Sequence, residues 1–337
     1  MESGPPITGS STAAGPHAWL QLGPPLLGIV ALMLFLILGK PPGDGYGWRT
    51  LFELGHVPLF GVTALLVLRV VRLLGRGERP EGADYLVALL ATAALSLVSE
   101  AAQILQPGRD ATIGDALKNL TGALCFIAIA ASFRPRLWRW LGAGGPAAAR
   151  LVALTSVLAL VLTMLPLAGL AYSYGMRRAA VPVLADLGAA WQRPLLSVAR
   201  SDLERVPAPR GWREQAGEHV ARLTFLDAPW PSVTVREPWP DWSGYETLRL
   251  QVWSDLDSPV EIALQVDDGH RRRPHRDRYN GSFIVMPGLN DFAVPLSTVA
   301  RGPREREMDL TDISQLILLS RRPEEPFQLY FSKIWLE

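Results

Sequence analysis

Five stretches of this chain are apolar for long enough to cross a bilayer, and no other feature restricts the fold as strongly. Only a helix satisfies its own backbone hydrogen bonds in hydrocarbon, and about twenty mostly apolar residues are needed to span it. The first stretch covers 19–39 without a charge, with Pro24 and Pro25 near its start. It is too long for a cleaved signal peptide, and no Lys or Arg precedes it. The second covers 51–74, with Arg69 and Arg72 placed to snorkel at its end. The third covers 84–105, the fourth 112–133, and the fifth, 151–176, is wholly uncharged.

The rest of the chain has a different character. Of 337 residues, 49% are hydrophobic and 19% charged, but the charged ones gather after Arg177. That asymmetry predicts an α-helical membrane domain of about five transmembrane helices followed by a soluble domain. A net charge of +1 without a basic stripe argues against a nucleic-acid partner. The single cysteine, Cys125, excludes a disulfide or cysteine-rich zinc site within one chain. Residues 1–18 are expected to form a disordered tail, 19–133 a four-helix membrane domain and 134–150 a cytoplasmic loop.

Orientation follows from the arginines. Arg76 and Arg79 follow the second stretch, and Arg134, Arg136, Arg139 and Arg150 follow the fourth, with no acid among the latter group. Both connections lie on one side by alternation, and that side is expected to be cytoplasmic. The chain after the fifth stretch is then extracytoplasmic, in a multi-pass protein of a bacterial cytoplasmic membrane.

That orientation gathers polar side chains in the outer leaflet. His56 opens the second helix, Glu100 and Gln103 close the third, Arg109 lies in the connection, and Asp115 and Asn119 open the fourth. Glu100 and Gln103 share a helical face with Ser96 one turn below, and Asp115, Asn119 and Gly122 share another. Charged groups in membrane segments are costly and usually mark working sites. Structural roles are open for each: Asp115 as a helix cap, Arg109 paired with Glu100 or Asp110, and Asn119 and Gln103 as interhelical hydrogen-bonding groups.

The pattern His56 with Leu59-Phe60-Gly61, then Glu100-x-x-Gln103, Pro107-Gly108-Arg109, Asp115-x-x-x-Asn119 and Gly122 resembles the VanZ-like membrane family. The Asp-Lys that usually precedes the histidine is absent, with Leu51-Phe52-Glu53 in its place. The resemblance covers 19–133, about a third of the chain. It implies a cell-envelope membrane protein, in a family named after a glycopeptide-resistance protein, and no particular reaction.

After the fifth helix, short alternating runs read as strands: 221–226, 232–236, 247–254, 260–266, 282–286, 291–295, 315–319 and 328–336. Asp268-Gly269, Asn280-Gly281 and Pro287-Gly288-Leu289-Asn290 read as turns between them. Eight such strands over 185–337 predict an all-β sandwich or jelly roll. Trp242-Ser243-Gly244-Tyr245, Gly288-Leu289-Asn290 and the closing strand resemble galactose-binding-like and carbohydrate-binding jelly rolls. Trp230, Trp239 and Trp242, set among prolines, are candidate surface rings for a glycan, whereas Trp253 and Trp335 are expected in the core. The basic run 270–278 is a candidate for anions or simply a solvated loop.

No G-x-S-x-G, H-E-x-x-H, P-loop or dinucleotide motif occurs, so no cofactor or metal is expected and no catalytic residue is assigned. The expected partners are a membrane lipid or lipid-linked precursor and a glycan. Three readings stay open: a binder of a lipid-linked or glycan envelope component, an enzyme acting on a lipid-linked phosphate through His56, Glu100, Arg109 and Asp115, and a plain anchor for the sandwich.

Overall fold

The computed structural model describes residues 16–43, 45–75, 80–105, 113–140, 142, 145–270 and 276–337. The chain divides into two compact units, residues 1–165 and 166–337. The tail expected at 1–18 falls almost wholly outside the described residues, as do Arg76, Arg79 and Arg109.

The first unit is helical: α1 (Pro16–Leu38), α2 (Tyr46–Gly75), α3 (Glu81–Ile104), α4 (Ile113–Ser132), α5 (Pro135–Trp140) and the beginning of α6 (Gly145–Ala180). All but α5 are long and apolar enough to cross a membrane. The segment 134–150, expected to connect the fourth and fifth long helices, carries α5 and the first turns of α6. Pro146 suits a helix start, where its missing N–H is no loss, and Ala147, Ala148 and Ala149 extend the turn. Large apolar side chains such as Leu20, Leu97 and Leu154 face outward, while Phe60, Ala64 and Ala88 are buried between helices. Gly122 sits where α4 meets α2, since a Cβ there would fall 2.0 Å from the Val57 carbonyl oxygen. Small residues let helices pack this closely.

The second unit is a two-sheet antiparallel sandwich. Its strands are β1 (Val183–Asp186), β2 (Leu196–Ala199), β3 (Ser201–Pro207), β4 (His219–Phe225), β5 (Ser232–Arg236), β6 (Thr247–Ser254), β7 (Val260–Asp268), β8 (Tyr279–Val285), β9 (Gly288–Pro295), β10 (Ile313–Leu319) and β11 (Phe327–Leu336). One sheet runs β3-β4-β11-β6-β9, with β1 also paired to β11; the other runs β2-β5-β10-β7-β8. The core between them holds Leu223, Phe225, Val252, Leu264, Leu318 and Phe331, contributed by both sheets. All eight expected strands are present, and β1, β2 and β3 are additional.

Two expectations fail here. Asn280-Gly281 is not a turn but lies inside β8, where Asn280 pairs with Gln265 and Gly281 with Leu264. The Tyr279 ring lies over this glycine, since a Cβ there would fall 2.3 Å from the Tyr279 hydroxyl. Trp253 and Trp335 do not lie between the two sheets: both are half-buried, and Trp253 packs from the outer side of its sheet against a smaller core of Ala208, Trp212, Ala216 and Val220. Along β6 the buried positions are Leu248, Leu250 and Val252, so alternation sends Trp253 outward with Arg249 and Gln251. The two indole N–H groups donate to Asp255 (2.6 Å) and Glu337 (3.0 Å).

Within this second unit the last turns of α6 are tied to the sandwich. Ser173 Oγ donates to the Trp191 carbonyl at 2.6 Å. Tyr174 donates its hydroxyl hydrogen to the Glu237 carboxylate, and Arg177 donates to the Glu237 carbonyl.

Candidate functional site

In the helical unit, the structure links three of the expected polar positions through one amide. His56 Nδ1 lies 2.9 Å from Asn119 Oδ1. Asn119 Nδ2 donates to Ser96 Oγ at 2.9 Å and to Glu100 Oε1 at 3.0 Å. The Glu100 carboxylate oxygen takes the amide's N–H, which turns the amide oxygen toward His56, and the Nδ1 tautomer that donates completes the bond. Asn119 and Glu100 are buried, and Glu100 Oε2 has no hydrogen-bond partner among the described residues. A buried carboxylate oxygen left unmatched is expensive unless something meets it.

Gln103 and Asp115 have other partners as well. Gln103 turns to α1, donating to the Leu36 carbonyl at 3.2 Å. Asp115 accepts from Lys118 at 2.8 Å, and Lys118 also stands 4.0 Å from Glu53. Sequence reasoning passed over Lys118. The signal was its spacing, three residues after Asp115 on α4, which sets the two side chains on one face of that helix.

The sandwich carries a groove of about 700 Å³ on the outward face of the five-stranded sheet. Its floor is built by alternation: on β7, Ile262, Leu264 and Val266 face the core, leaving Ala263 and Gln265 for the other side. Cross-strand pairing sets Gln265 opposite Asn280 and Ala263 opposite Ser282 and Leu319. The floor amides are held in a chain: Arg278 donates to Gln265 Oε1 at 3.1 Å, and Gln265 Nε2 donates to Asn280 Oδ1 at 3.0 Å. Loop residues Arg321, Arg322 and Glu324 form one wall.

Trp230 stands on the rim, 51% exposed, with its backbone in the left-handed region at φ 60°. That conformation is strained for a bulky residue and persists only where the surroundings impose it. Here the Trp230 N–H donates to the Arg321 carbonyl at 2.8 Å, and the Ser320 N–H to the Pro231 carbonyl at 3.0 Å.

The other two candidate tryptophans do not join it. Trp242 is not a surface ring: it is fully buried, with its indole N–H donating to the Trp239 carbonyl at 2.7 Å. Flanking prolines and polar residues hid the fact that its ring closes the end of the core. Trp239 is half-buried against the same core.

The Asp267-Asp268 pair serves basic side chains. Asp267 meets Arg278 and Gln315, and Asp268 meets Arg306. Burial alone would raise the Asp268 carboxyl, but hydrogen bonds from Arg306 and from the Asp309 and His270 N–H groups outweigh it and hold it below the usual aspartate range. Positions 271–275 of the basic run lie outside the described residues.

No family model matches the chain, and no curated protein sequence matches it. Its C-terminal part is similar to solved β-sandwich structures. One is a family 11 carbohydrate-binding module from Clostridium thermocellum, in complex with a β-1,3-1,4-mixed-linked tetrasaccharide (11% identity, TM-score 0.36, 46% of this chain and 93% of that one). Another is an agarase, AgWH50C (15% identity, TM-score 0.35, 46% of this chain and 26% of that one). A third is a family 30 module of a Clostridium thermocellum cellulosomal cellulase (16% identity, TM-score 0.32, 42% of this chain and 86% of that one). At such identities and TM-scores, the likeness assigns no role to any residue.

Proposed function

We propose that the chain is a multi-pass protein of a bacterial cytoplasmic membrane that recognises an envelope glycan with its extracytoplasmic sandwich. The groove beside Trp230 carries this reading. Ligand sites combine shaped apolar surface with a few fixed polar groups. A flat indole covers the apolar face of a sugar ring, and the aligned amides of Gln265 and Asn280 offer paired donors and acceptors to its hydroxyls. Five apolar helices and the arginine bias of the connections support the membrane placement and orientation.

The test uses fluorescent oligosaccharides, both peptidoglycan fragments and neutral glucans, added to intact spheroplasts expressing the full chain. At least one glycan is expected to bind, and Trp230→Ala is expected to weaken it about tenfold or more, as loss of a central aromatic anchor does. Binding only after lysis would reverse the orientation. No binding in either preparation would sink glycan recognition.

A second reading has its own support. The unpartnered, buried Glu100 oxygen beside Asn119 and His56 suits a group that holds or protonates a ligand in the outer leaflet, such as a lipid-linked envelope precursor. The VanZ-like pattern falls on the same residues.

A further inference from the structure

At the end of the helical bundle opposite the His56–Asn119–Glu100 group, α4 gives way to α5 and α5 to α6. The break is well defined. The Arg134 N–H donates to the Ala131 carbonyl at 3.0 Å, and the Trp138 indole donates to the same carbonyl at 3.0 Å. Leu137 on α5 is buried in the bundle core, which lays the short helix back across the bundle end. Between α5 and the first turns of α6 lies a pocket of about 390 Å³, walled by Phe133, Pro135, Trp138, Pro146 and Ala153. That volume is within the range of small-ligand sites.

Its border is basic. Arg139 and Arg150 line the pocket, and Arg134 and Arg136 are exposed nearby on the same short segment. None of the four pairs with a carboxylate among the described residues, and no acid occurs between 134 and 150. An apolar slot with a tryptophan at its wall and two unpaired guanidinium groups at its mouth has a complementary ligand: an acyl chain joined to a phosphate. Guanidinium binds phosphate oxygens in pairs, basic pockets between membrane helices on the cytoplasmic side hold anionic lipid headgroups, and tryptophan favours the headgroup level.

We infer that this pocket binds an anionic glycerophospholipid of the inner leaflet, one acyl chain in the slot and the phosphodiester between Arg139 and Arg150. The inference rests on the membrane reading given above and is independent of glycan binding.

The experiment is native mass spectrometry of the full chain released from mixed micelles containing equal phosphatidylglycerol and phosphatidylcholine. The wild type is expected to retain phosphatidylglycerol about tenfold over phosphatidylcholine. Arg139→Gln with Arg150→Gln is expected to bring the two to parity. Ala153→Phe leaves every charge in place but fills the slot, and it is expected to reduce retention of phosphatidylglycerol by a similar factor while preserving the wild-type melting temperature. Equal retention of the two lipids by the wild type overturns the proposal. So does a preference that survives both the double variant and Ala153→Phe. Alkaline washing of membranes separates the two levels: a chain that washes off overturns the membrane reading with it, whereas one that resists washing and shows no lipid preference overturns only the pocket.

Discussion

The two units handle their apolar side chains in opposite ways. In the sandwich, Phe225, Val252 and Phe331 are sealed between sheets, and the outer faces carry amides, acids and arginines. In the helical unit, Leu90, Leu97 and Leu158 face outward, and the scarce polar side chains Ser96, Glu100 and Asn119 are the buried ones. The same avoidance of water explains the first arrangement, whereas the second is the one expected of helices surrounded by a solvent as apolar as leucine, in keeping with the proposed membrane placement. Exposure alone therefore does not distinguish a soluble surface from a lipid-facing one. The polar residues do, through which side of the backbone they occupy.

A paired substitution breaks or confirms that contrast and carries the largest expected effect. Leu90 in α3 and Ile284 in β8 are almost equally exposed, at 61% and 64%. If α3 spans the membrane as proposed, Leu90→Lys near its middle is expected to cost about 2.5–3.5 kcal/mol of insertion free energy. Ile284→Lys on a solvated sheet face is expected to stay within about 0.5 kcal/mol. Membrane yield and the sandwich melt are the readouts. Equal effects at the two sites would remove the case for lipid around α3.

The contrast also accounts for what could be read in advance. Long uncharged runs reveal long apolar helices almost directly, and alternation reveals central strands such as β6 and β10. The strands missed are those with weak patterns. β1 and β2 have four residues each, and β3 is a polar edge strand carrying Asp202, Glu204 and Arg205. The tryptophans were misplaced because residue type was weighed above parity: Trp253 shares its phase with Arg249 and Gln251. In the helical unit, spacing put Glu100, Asn119 and His56 at one end of the bundle, where they are hydrogen-bonded, but spacing could not show that Gln103 would turn to α1. The groove was not legible, since its walls come from segments near 256 and 321 that only the sheet order brings together.

The next effect is smaller and lies within the helical unit. Asn119→Leu removes the amide that serves His56, Ser96 and Glu100 together, leaving the buried carboxylate with neither oxygen matched. Interhelical hydrogen bonds in membranes contribute about 0.6–2 kcal/mol, so a loss in that range is expected in a reversible unfolding assay. Glu100→Gln keeps an acceptor for Asn119 and is expected to fold like the wild type while abolishing any function that needs the carboxylate. An Asn119→Leu chain as stable as the wild type would show that the network does not hold α2, α3 and α4 together. A Glu100→Gln chain with unchanged envelope function would leave the second reading without its central group.

The smallest effect belongs to the sandwich and is a matter of pH. Asp268 is almost fully buried and held below its ordinary value of 3.8 by the Arg306 guanidinium and two backbone N–H groups, against the upward push of burial. A carboxylate with a depressed folded pKa contributes stability above its unfolded pKa, and that contribution is lost as pH falls through the folded value. Asp186 works the other way: burial raises it, despite Lys333 and the N–H groups of Gly188 and Ala189, so its contribution is lost as pH rises through its folded value. The two slopes oppose each other, and the wild-type acid limb alone is ambiguous. Asp268→Asn isolates one of them, because an amide does not titrate and Arg306 keeps Asp277 as a partner. The stability difference between wild type and Asp268→Asn, from melts of the full chain in detergent followed by the β-sheet signal, should therefore grow as pH rises from about 2 to 4 and level off above that. A difference that stays flat, or shrinks over that interval, would mean that Arg306 does not offset the burial of Asp268, and that the β7 end is held by packing instead of charge.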